Sequence, residues 1–133
     1  MNTPKIITGL AVIALLIAVS APGPKQSAPN YAAATEMNVR GVVQDVEEFY
    51  CPISLDRGTH LTLKTDNGTM QVHVAPGRFL RGNSFDFAPG DNIEVVGSVV
   101  RYKGTDAVIA RTINRGNETF AFRNSTGKGA WIE

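Results

Sequence analysis

The sequence predicts an all-β fold, and three observations support this prediction. Apolar and polar side chains alternate in short segments between residues 37 and 123, which is the period of a half-buried strand. Turn-forming pairs, Asn67-Gly68, Pro89-Gly90 and Lys103-Gly104, separate these segments. The segments follow the order strand, hairpin, helical connection, hairpin. This order predicts a small five- to six-stranded, OB-like Greek-key barrel with a short helix between strands 3 and 4, and a two-sheet sandwich is the alternative.

The N-terminal region differs from the rest and predicts a leader helix. Lys5 precedes an apolar run, residues 6–19, and the segment Pro22-Gly23-Pro24 then breaks it. This arrangement is typical of a secretory signal. The apolar run of 14 residues suits a secretory signal better than a membrane span, which needs about 20.

The leader sets the predicted domain boundary and location. Cleavage after Ser20 or after Ala34 would leave small residues where a signal peptidase needs them. The alternative is an uncleaved inner-membrane anchor with a Pro/Ala/Ser tether. In either case residues 1–34 are leader and tether, and residues 35–133 are expected to form one domain that is exported, in the periplasm or facing it.

Charge and cysteine content limit the partners and the source of stability. The leader holds Lys5 and Lys25 and no acid, so the domain has 11 Lys and Arg against 12 Asp and Glu. A domain without net positive charge lacks the electrostatic attraction that drives binding to nucleic acid, so we expect no such partner. Cys51 is the only cysteine, so no intrachain disulfide can form.

The first predicted strand, residues 37–49, changes phase along its length. Such a change indicates a bulge or bend, which we expect near Gly41. Residues 48–59 contain Pro52 and Gly58 and predict a loop.

The pair Asn67-Gly68 predicts a hairpin of residues 60–65 and 69–75, with these two residues as the turn. The predicted opposite pairs are Asp66 and Thr69, Thr65 and Met70, Leu63 and Val72, and Leu61 and Val74. One face of the hairpin is then apolar. The other face carries His60, Thr62, Lys64, Gln71 and His73.

Beyond the hairpin, residues 76–90 predict a helical turn and a packed connection, because four aromatic or leucine side chains occur among glycines. Residues 92–102 and 107–114 predict two further strands joined at Lys103-Gly104. Residues 118–123 predict a short sixth strand.

His60 and His73 are the candidate metal ligands. The predicted register makes them diagonal neighbours on the polar face, within reach of a shared ion. A metal site needs three or four ligands, and Glu47, Glu48 or Cys51 could complete one if the preceding loop folds over that face. The competing interpretation, which we favour from sequence, is two solvated histidines.

No enzymatic machinery is visible. Cys51 is followed by Arg57 and His60, which could activate a thiolate, but no base or oxyanion pattern accompanies them. A buried or partner-facing cysteine is the favoured interpretation. The nucleophile elbow, the P-loop, the zinc-protease motif, the haem motif and the dinucleotide fingerprint are all missing from the sequence. We therefore predict neither catalytic residues nor a cofactor.

Basic and aromatic side chains gather in the C-terminal half. They are Arg101, Tyr102, Lys103, Arg111, Arg115, Phe120, Phe122, Arg123 and Lys128. OB-folds bind single strands with such groups, but nearby acids can also balance these cations. We predict a possible binding surface made of Lys64, Gln71, Arg101, Tyr102 and Arg111.

Several segments together resemble a known group of proteins. They are Gly41-Val42-Val43, residues 72–80 with Ala75-Pro76 and Phe79-Leu80, residues 89–98 with Pro89-Gly90-Asp91, Ala110-Arg111-Thr112-Ile113, and residues 120–131 ending in Trp131. The sequence resembles small exported bacterial OB-like domains, including the domain shared by the magnetosome proteins MamS and MamX. The resemblance implies an accessory role, in a magnetosome-type iron context. The haem motifs of MamX-like proteins are missing here, which argues against direct electron transfer.

From these observations we expect a non-enzymatic, exported binding module that engages a protein or a cell-envelope component. A metal-handling accessory domain that uses His60 and His73 is the first alternative. An OB-fold binder of single-stranded nucleic acid is the second.

Overall fold

The computed structural model describes residues 29–132, so most of the predicted leader lies outside the described residues. A short 3₁₀ turn, Ala33–Thr35, leads into six strands and one helix. They are β1 (Glu36–Cys51), β2 (Asp56–Thr65), β3 (Gly68–Pro76), α1 (Gly77–Gly82), β4 (Asn92–Tyr102), β5 (Thr105–Arg115) and β6 (Glu118–Ala121). Among these residues no helix is long and apolar enough to cross a membrane.

The strands close into a barrel. Hydrogen-bonded neighbours follow the order β3-β2-β1-β4-β5-β6, and β3 also pairs with β5 in parallel. That last pairing joins the two ends of the five-stranded sheet, and α1 lies between β3 and β4 in the chain. The predicted OB-like barrel with a helix between strands 3 and 4 is therefore confirmed, and the sandwich alternative is wrong.

The long strand β1 serves both sides of the barrel. Its first half pairs with β4 and its second half with β2. The predicted irregularity is present, but the register shift falls between Val43 and Asp45, slightly after the predicted position. Gly41 permits the bend because a Cβ there would lie 2.3 Å from the Lys64 carbonyl oxygen. The strand curls where the backbone of β2 leaves no room for a side chain.

The hairpin of β2 and β3 forms, but its predicted register is wrong by two residues. Leu61 pairs with Val72 and Leu63 pairs with Met70, so Asp66 and Asn67 are the central turn residues. The Thr65 hydroxyl donates to the Gly68 carbonyl oxygen at 2.8 Å, and Gly68 adopts a φ of 114°. The two-residue turn is thus Asp66-Asn67, one residue before the predicted pair, and a glycine with positive φ follows it. Because the shift is even, each side chain keeps its predicted face.

The predicted loop at residues 48–59 is mostly strand. Residues 48–51 pair with residues 56–59, which extends the β1–β2 hairpin and leaves only residues 52–55 as the connection. The prediction was wrong because the segment has little apolar alternation from which a strand could be recognised. Its strand conformation comes from backbone hydrogen bonds between residues 48–51 and 56–59. Cys51 consequently lies at the end of β1, at a fixed position.

Apolar residues from all five barrel strands, α1 and the C-terminal segment form one core. It comprises Val43, Leu61, Leu63, Val72, Val74, Ala75, Leu80, Phe87, Ile93, Val95, Val108, Ala110, Ile113, Phe120 and Phe122. Phe79, Phe85 and Trp131 pack against it from the connection and the C-terminus. The predicted sixth strand exists over Glu118–Ala121, and residues 122–132 continue along the barrel wall.

Candidate metal centre

Three side chains with metal-binding atoms meet on the outer face of the barrel. Cys51 ends β1, His60 lies on β2 and His73 lies on β3. One ligand atom from each lies within 4.8 Å of the others, and Cys51 Sγ is 3.5 Å from His73 Nδ1. All three residues are at least 97% buried. Of the three candidates for a third ligand, Cys51 is therefore the one that the structure places beside the histidines.

The strand register brings the histidines together. His60 and His73 are directly opposite in the β2–β3 ladder, and not diagonal as the predicted register required. Their rings meet edge to face with centroids 4.6 Å apart. Cys51 reaches them because the β1–β2 hairpin extends beyond its predicted end.

The expectation of solvated histidines is wrong. Aromatic rings from strands outside the β2–β3 hairpin cover both imidazoles. The Phe49 ring stacks on His60 with centroids 3.7 Å apart and an interplanar angle of 6°. The Tyr102 ring, at the end of β4, meets His73 edge to face at 4.6 Å. Alternation within the hairpin cannot reveal such cover, since it comes from other strands.

Most of the imidazole nitrogens at this centre have no hydrogen-bond partner. Both ring nitrogens of His60 and Nε2 of His73 are buried without a partner among residues 29–132. Buried polar atoms in proteins are almost always paired, and each exception requires an explanation. A ligand that accepts electron pairs from these nitrogens would provide one.

Burial also fixes the protonation state of both rings. It lowers the pKa of His60 to about 4, an effect that a backbone group of Gly58 opposes only in part. Burial lowers the pKa of His73 to about 3, and the charge of a protonated His60 adds to this shift. Both imidazoles are therefore neutral at physiological pH, which is the state that binds metal ions.

The donor set suits one borderline or soft ion. Thiolate and imidazole bind copper and zinc, with metal–ligand distances of roughly 2.0–2.3 Å. Tetrahedral geometry at these distances places ligand atoms about 3.5 Å apart. Small side-chain rotations from the present spacing would reach it. Glu47 and Glu48 are exposed, and Glu48 forms an ion pair with Arg81 at 2.8 Å, so neither carboxylate belongs to the set.

Gly58 is a residue of this site that the sequence analysis treated only as a loop former. A Cβ at Gly58 would lie 3.0 Å from Cys51 Cβ and 3.3 Å from His60 Cε1. The missing side chain lets the two ligands approach each other. The signal in the sequence was a glycine two residues before His60. That glycine indicates a metal site only when Cys51 is known to lie beside it.

The five residues of the predicted binding surface come from four strands: Lys64 lies on β2, Gln71 on β3, Arg101 and Tyr102 on β4, and Arg111 on β5. Lys64 is exposed and Gln71 is half-buried on the hairpin. Arg101 pairs with Asp106 at 3.1 Å, whereas its neighbour Tyr102 faces the other side of β4 and covers His73. Arg111 is half-buried and forms an ion pair with Glu36.

The basic side chains of the C-terminal half are largely occupied by acids. Besides the pairs of Arg101 and Arg111, Arg115 pairs with Asp91 at 2.9 Å and with Glu118 at 3.0 Å. Phe120 and Phe122 are core residues. These two rings are therefore not exposed for stacking on bases.

Comparison with known proteins gives a matching family model and likenesses to solved structures. No curated protein matches the chain significantly. The solved crystal structure of the S. pombe Stn1-Ten1 complex is similar to this chain with a TM-score of 0.49 and 12% identity. The match covers 62% of this chain, which spans 59% of that one. The model of the MamS/MamX magnetosome protein family matches residues 35–120, well over half of the chain. The chain, an OB-like barrel as the earlier resemblance implied, therefore belongs to the MamS/MamX magnetosome protein family.

Proposed function

We propose that this protein is a non-enzymatic, exported accessory domain that binds one copper or zinc ion through Cys51, His60 and His73. The observation that carries the proposal is the set of buried imidazole nitrogens without partners, beside a buried thiol. Leaving such atoms unpaired destabilises a fold by about 1–3 kcal/mol each. Coordination of one metal ion would satisfy one nitrogen of each ring, since each histidine offers one ligand atom.

The donor set favours copper or zinc over the iron that a magnetosome context suggests. Non-haem ferrous sites typically combine two histidines with a carboxylate, whereas thiolate with imidazole selects copper or zinc. The cluster among the described residues contains no carboxylate. We propose that the domain binds copper or zinc in a magnetosome context and does not bind iron.

The three proposed ligands are held in fixed positions before any metal binds. They come from three strands of one closed barrel, so the protein holds their relative positions. Export of the domain by its leader, as predicted from sequence, would place the centre in the periplasm or in a compartment derived from it. Cleavage after Ser20 would keep Tyr31, which contacts Glu36, with the domain.

Metal titration of the untagged full-length protein tests the proposal. The chain has two histidines and one cysteine, so this cluster contains every residue of either kind. We expect one cuprous or zinc ion per chain, and binding of ferrous iron at least about 100-fold weaker. Cys51→Ser and His73→Ala should each weaken binding by about 100-fold or more, and the exposed Lys64→Ala should not change it. Equal binding by the variants, or no binding, would refute the proposal.

A protein or envelope partner is a second proposal, supported by apolar side chains beside the centre. Tyr50, near the end of β1, is 61% exposed, and Leu55, in the loop that follows Cys51, is 73% exposed. We propose that a partner protein contacts this loop. Site-specific crosslinking from position 55 in cells should give a discrete product that the Tyr50→Ser variant loses and the Met37→Ser variant keeps. Met37 is similarly exposed but lies at the start of β1.

A further inference from the structure

A cavity of about 380 Å³ opens beside the metal centre and is a separate site. The N-terminal segment, the β1–β2 loop, β5 and the C-terminal segment enclose it. The residues that the argument uses are Tyr31, Ser54, Arg78, Ile109, Arg123 and Trp131. Ile109 and Trp131 supply apolar walls, and Arg123 and Ser54 supply polar groups.

Arg123 is a buried cation at this cavity. It is 93% buried, and its Nη1 donates to the carbonyl oxygens of Val74 and Ala110, both at 2.6 Å. Its guanidinium lies 4.9 Å from the Trp131 ring centroid. No carboxylate of residues 29–132 pairs with it, and its Nε and Nη2 donate to no atom of those residues. A guanidinium has five N–H donors, so Nε and Nη2 leave three of them for a ligand.

Burial is unfavourable for the charged form of Arg123 and lowers its pKa. Burial lowers the pKa of Arg123 to about 10, which reflects the penalty of removing a cation from water. The groups whose charge opposes this shift are Cys51 and Tyr31, and neither is a carboxylate. A bound anion would offset the penalty.

Ser54 provides an independent observation. Its hydroxyl oxygen is buried and has no hydrogen-bond partner among the described residues, although the residue lines the cavity. A hydroxyl can donate to an anion that a guanidinium also binds.

We propose that this cavity binds a small organic carboxylate, with the carboxylate on Arg123 and Ser54 and the carbon chain against Ile109 and Trp131. Arginine binds carboxylates through two parallel N–H donors, and the apolar walls of Ile109 and Trp131 favour a ligand with a carbon chain over an inorganic anion. The cavity adjoins the metal centre, but Arg123 and Ser54 are not among the proposed metal ligands, so either proposal can fail without the other.

Fluorescence of Trp131, the single tryptophan of the chain, reports directly on this cavity. The metal-free full-length protein is titrated with acetate, propionate and butyrate, each against its neutral amide and against sodium chloride at equal ionic strength. We expect a saturable change with the carboxylates, strongest for propionate or butyrate. Affinity for the amides should be at least about tenfold lower, because they lack the charge that Arg123 binds.

Variants separate the proposed contacts from structural effects. Ser54→Ala should weaken carboxylate binding by about tenfold, and Arg123→Gln should abolish it while Arg123→Lys retains part of it. Arg78→Gln is the matched control, because Arg78 lines the same cavity but pairs with Asp56 at 2.9 Å. Cys51→Ser should bind carboxylate normally while losing metal. Equal responses to acid and amide, no response, or full binding by Ser54→Ala in a folded protein would overturn the proposal.

Discussion

His60 and His73 are neutral residues in the folded protein at any pH above about 5. Burial holds the pKa of each below the ordinary value, to about 4 and about 3. An unfolded chain returns both rings to a pKa near 6.5. The unfolded state therefore binds more protons than the folded state when the pH falls below 6.5, and stability must decline with it.

We predict that the free energy of unfolding of the metal-free protein falls by about 3 kcal/mol per histidine between pH 7 and pH 4. Urea unfolding at several pH values measures this. Carboxylates also contribute on acidification. For Glu36 and Asp91 ion pairing or hydrogen bonds hold the pKa below the usual range, so their contribution is lost at lower pH. A His60→Leu, His73→Leu variant should lose the decline between pH 6.5 and 4.5 specifically. An unchanged slope there would contradict the burial argument.

Gly58 offers a second test at the residue scale. Gly58→Ala places a methyl group 3.0 Å from Cys51 Cβ, so the thiol must move away from the histidines by a few tenths of an ångström. We predict about tenfold weaker metal binding with little loss of stability, measured by competition titration and urea unfolding. Gly82→Ala, which meets open space at the end of α1, is the control and should change neither.

At the scale of elements, two glycines mark where strands of the barrel approach most closely. Gly41 on β1 faces the backbone of β2, and Gly97 on β4 faces the backbone of β5. A register shift lies close to each, between Val43 and Asp45 and between Val96 and Gly97. Bulges increase the local twist, and the absence of a side chain lets the twisted strands touch.

Gly97→Ala should therefore destabilise the barrel strongly. Its Cβ would lie 2.2 Å from the Ile109 carbonyl oxygen, a backbone atom that cannot rotate away. We predict a loss of about 3 kcal/mol in the free energy of unfolding, which urea titration measures. Val99→Ala on the same strand removes a partly buried side chain without a clash and serves as the comparison. If Gly97→Ala lowered the free energy of unfolding less than Val99→Ala does, the backbone of β4 and β5 would have to shift at little energetic cost, which would contradict this prediction.

The β2–β3 hairpin shows how far sequence reasoning reaches at this scale. The alternation of Leu61 and Leu63 with polar neighbours identified the strands and their buried face. The turn was misplaced by one residue because Asn67-Gly68 and Asp66-Asn67 are both suitable central pairs of a two-residue turn. The hydrogen bond of Thr65 with Gly68 selects the second. That choice put His60 directly opposite His73.

At the scale of the whole molecule, barrel closure depends on a short seam. The parallel β3–β5 ladder spans only residues 71–73 and 107–109. Val74 and Ala110, the next residues on each strand, both direct their carbonyl oxygens to Arg123. The C-terminal segment thus completes the seam with a side chain where the ladder ends.

Arg123→Met should loosen this seam. The substitution removes the guanidinium that donates to two carbonyl oxygens, and we predict a loss of about 3 kcal/mol in the free energy of unfolding. Amide hydrogen exchange should accelerate at residues 71–73 and 107–109 more than in the β1–β2 hairpin. Arg101→Met, which removes an exposed ion pair, should cost less than about 1 kcal/mol. Uniform exchange across the barrel would argue against a local role.

The sequence by itself determined the strand segments, the connecting helix, the barrel class and the family, because alternation, turn residues and short motifs are local properties of the chain. It also identified His60 and His73 as neighbours on one face of a hairpin. Only the tertiary structure decided that the two imidazole rings are buried, that Cys51 joins them and that Arg123 reaches the seam. The rings that bury the histidines, Phe49 and Tyr102, and the arginine at the seam come from other parts of the chain. Contacts between segments far apart in the chain produce no periodic pattern in the sequence, so the sequence could not predict them.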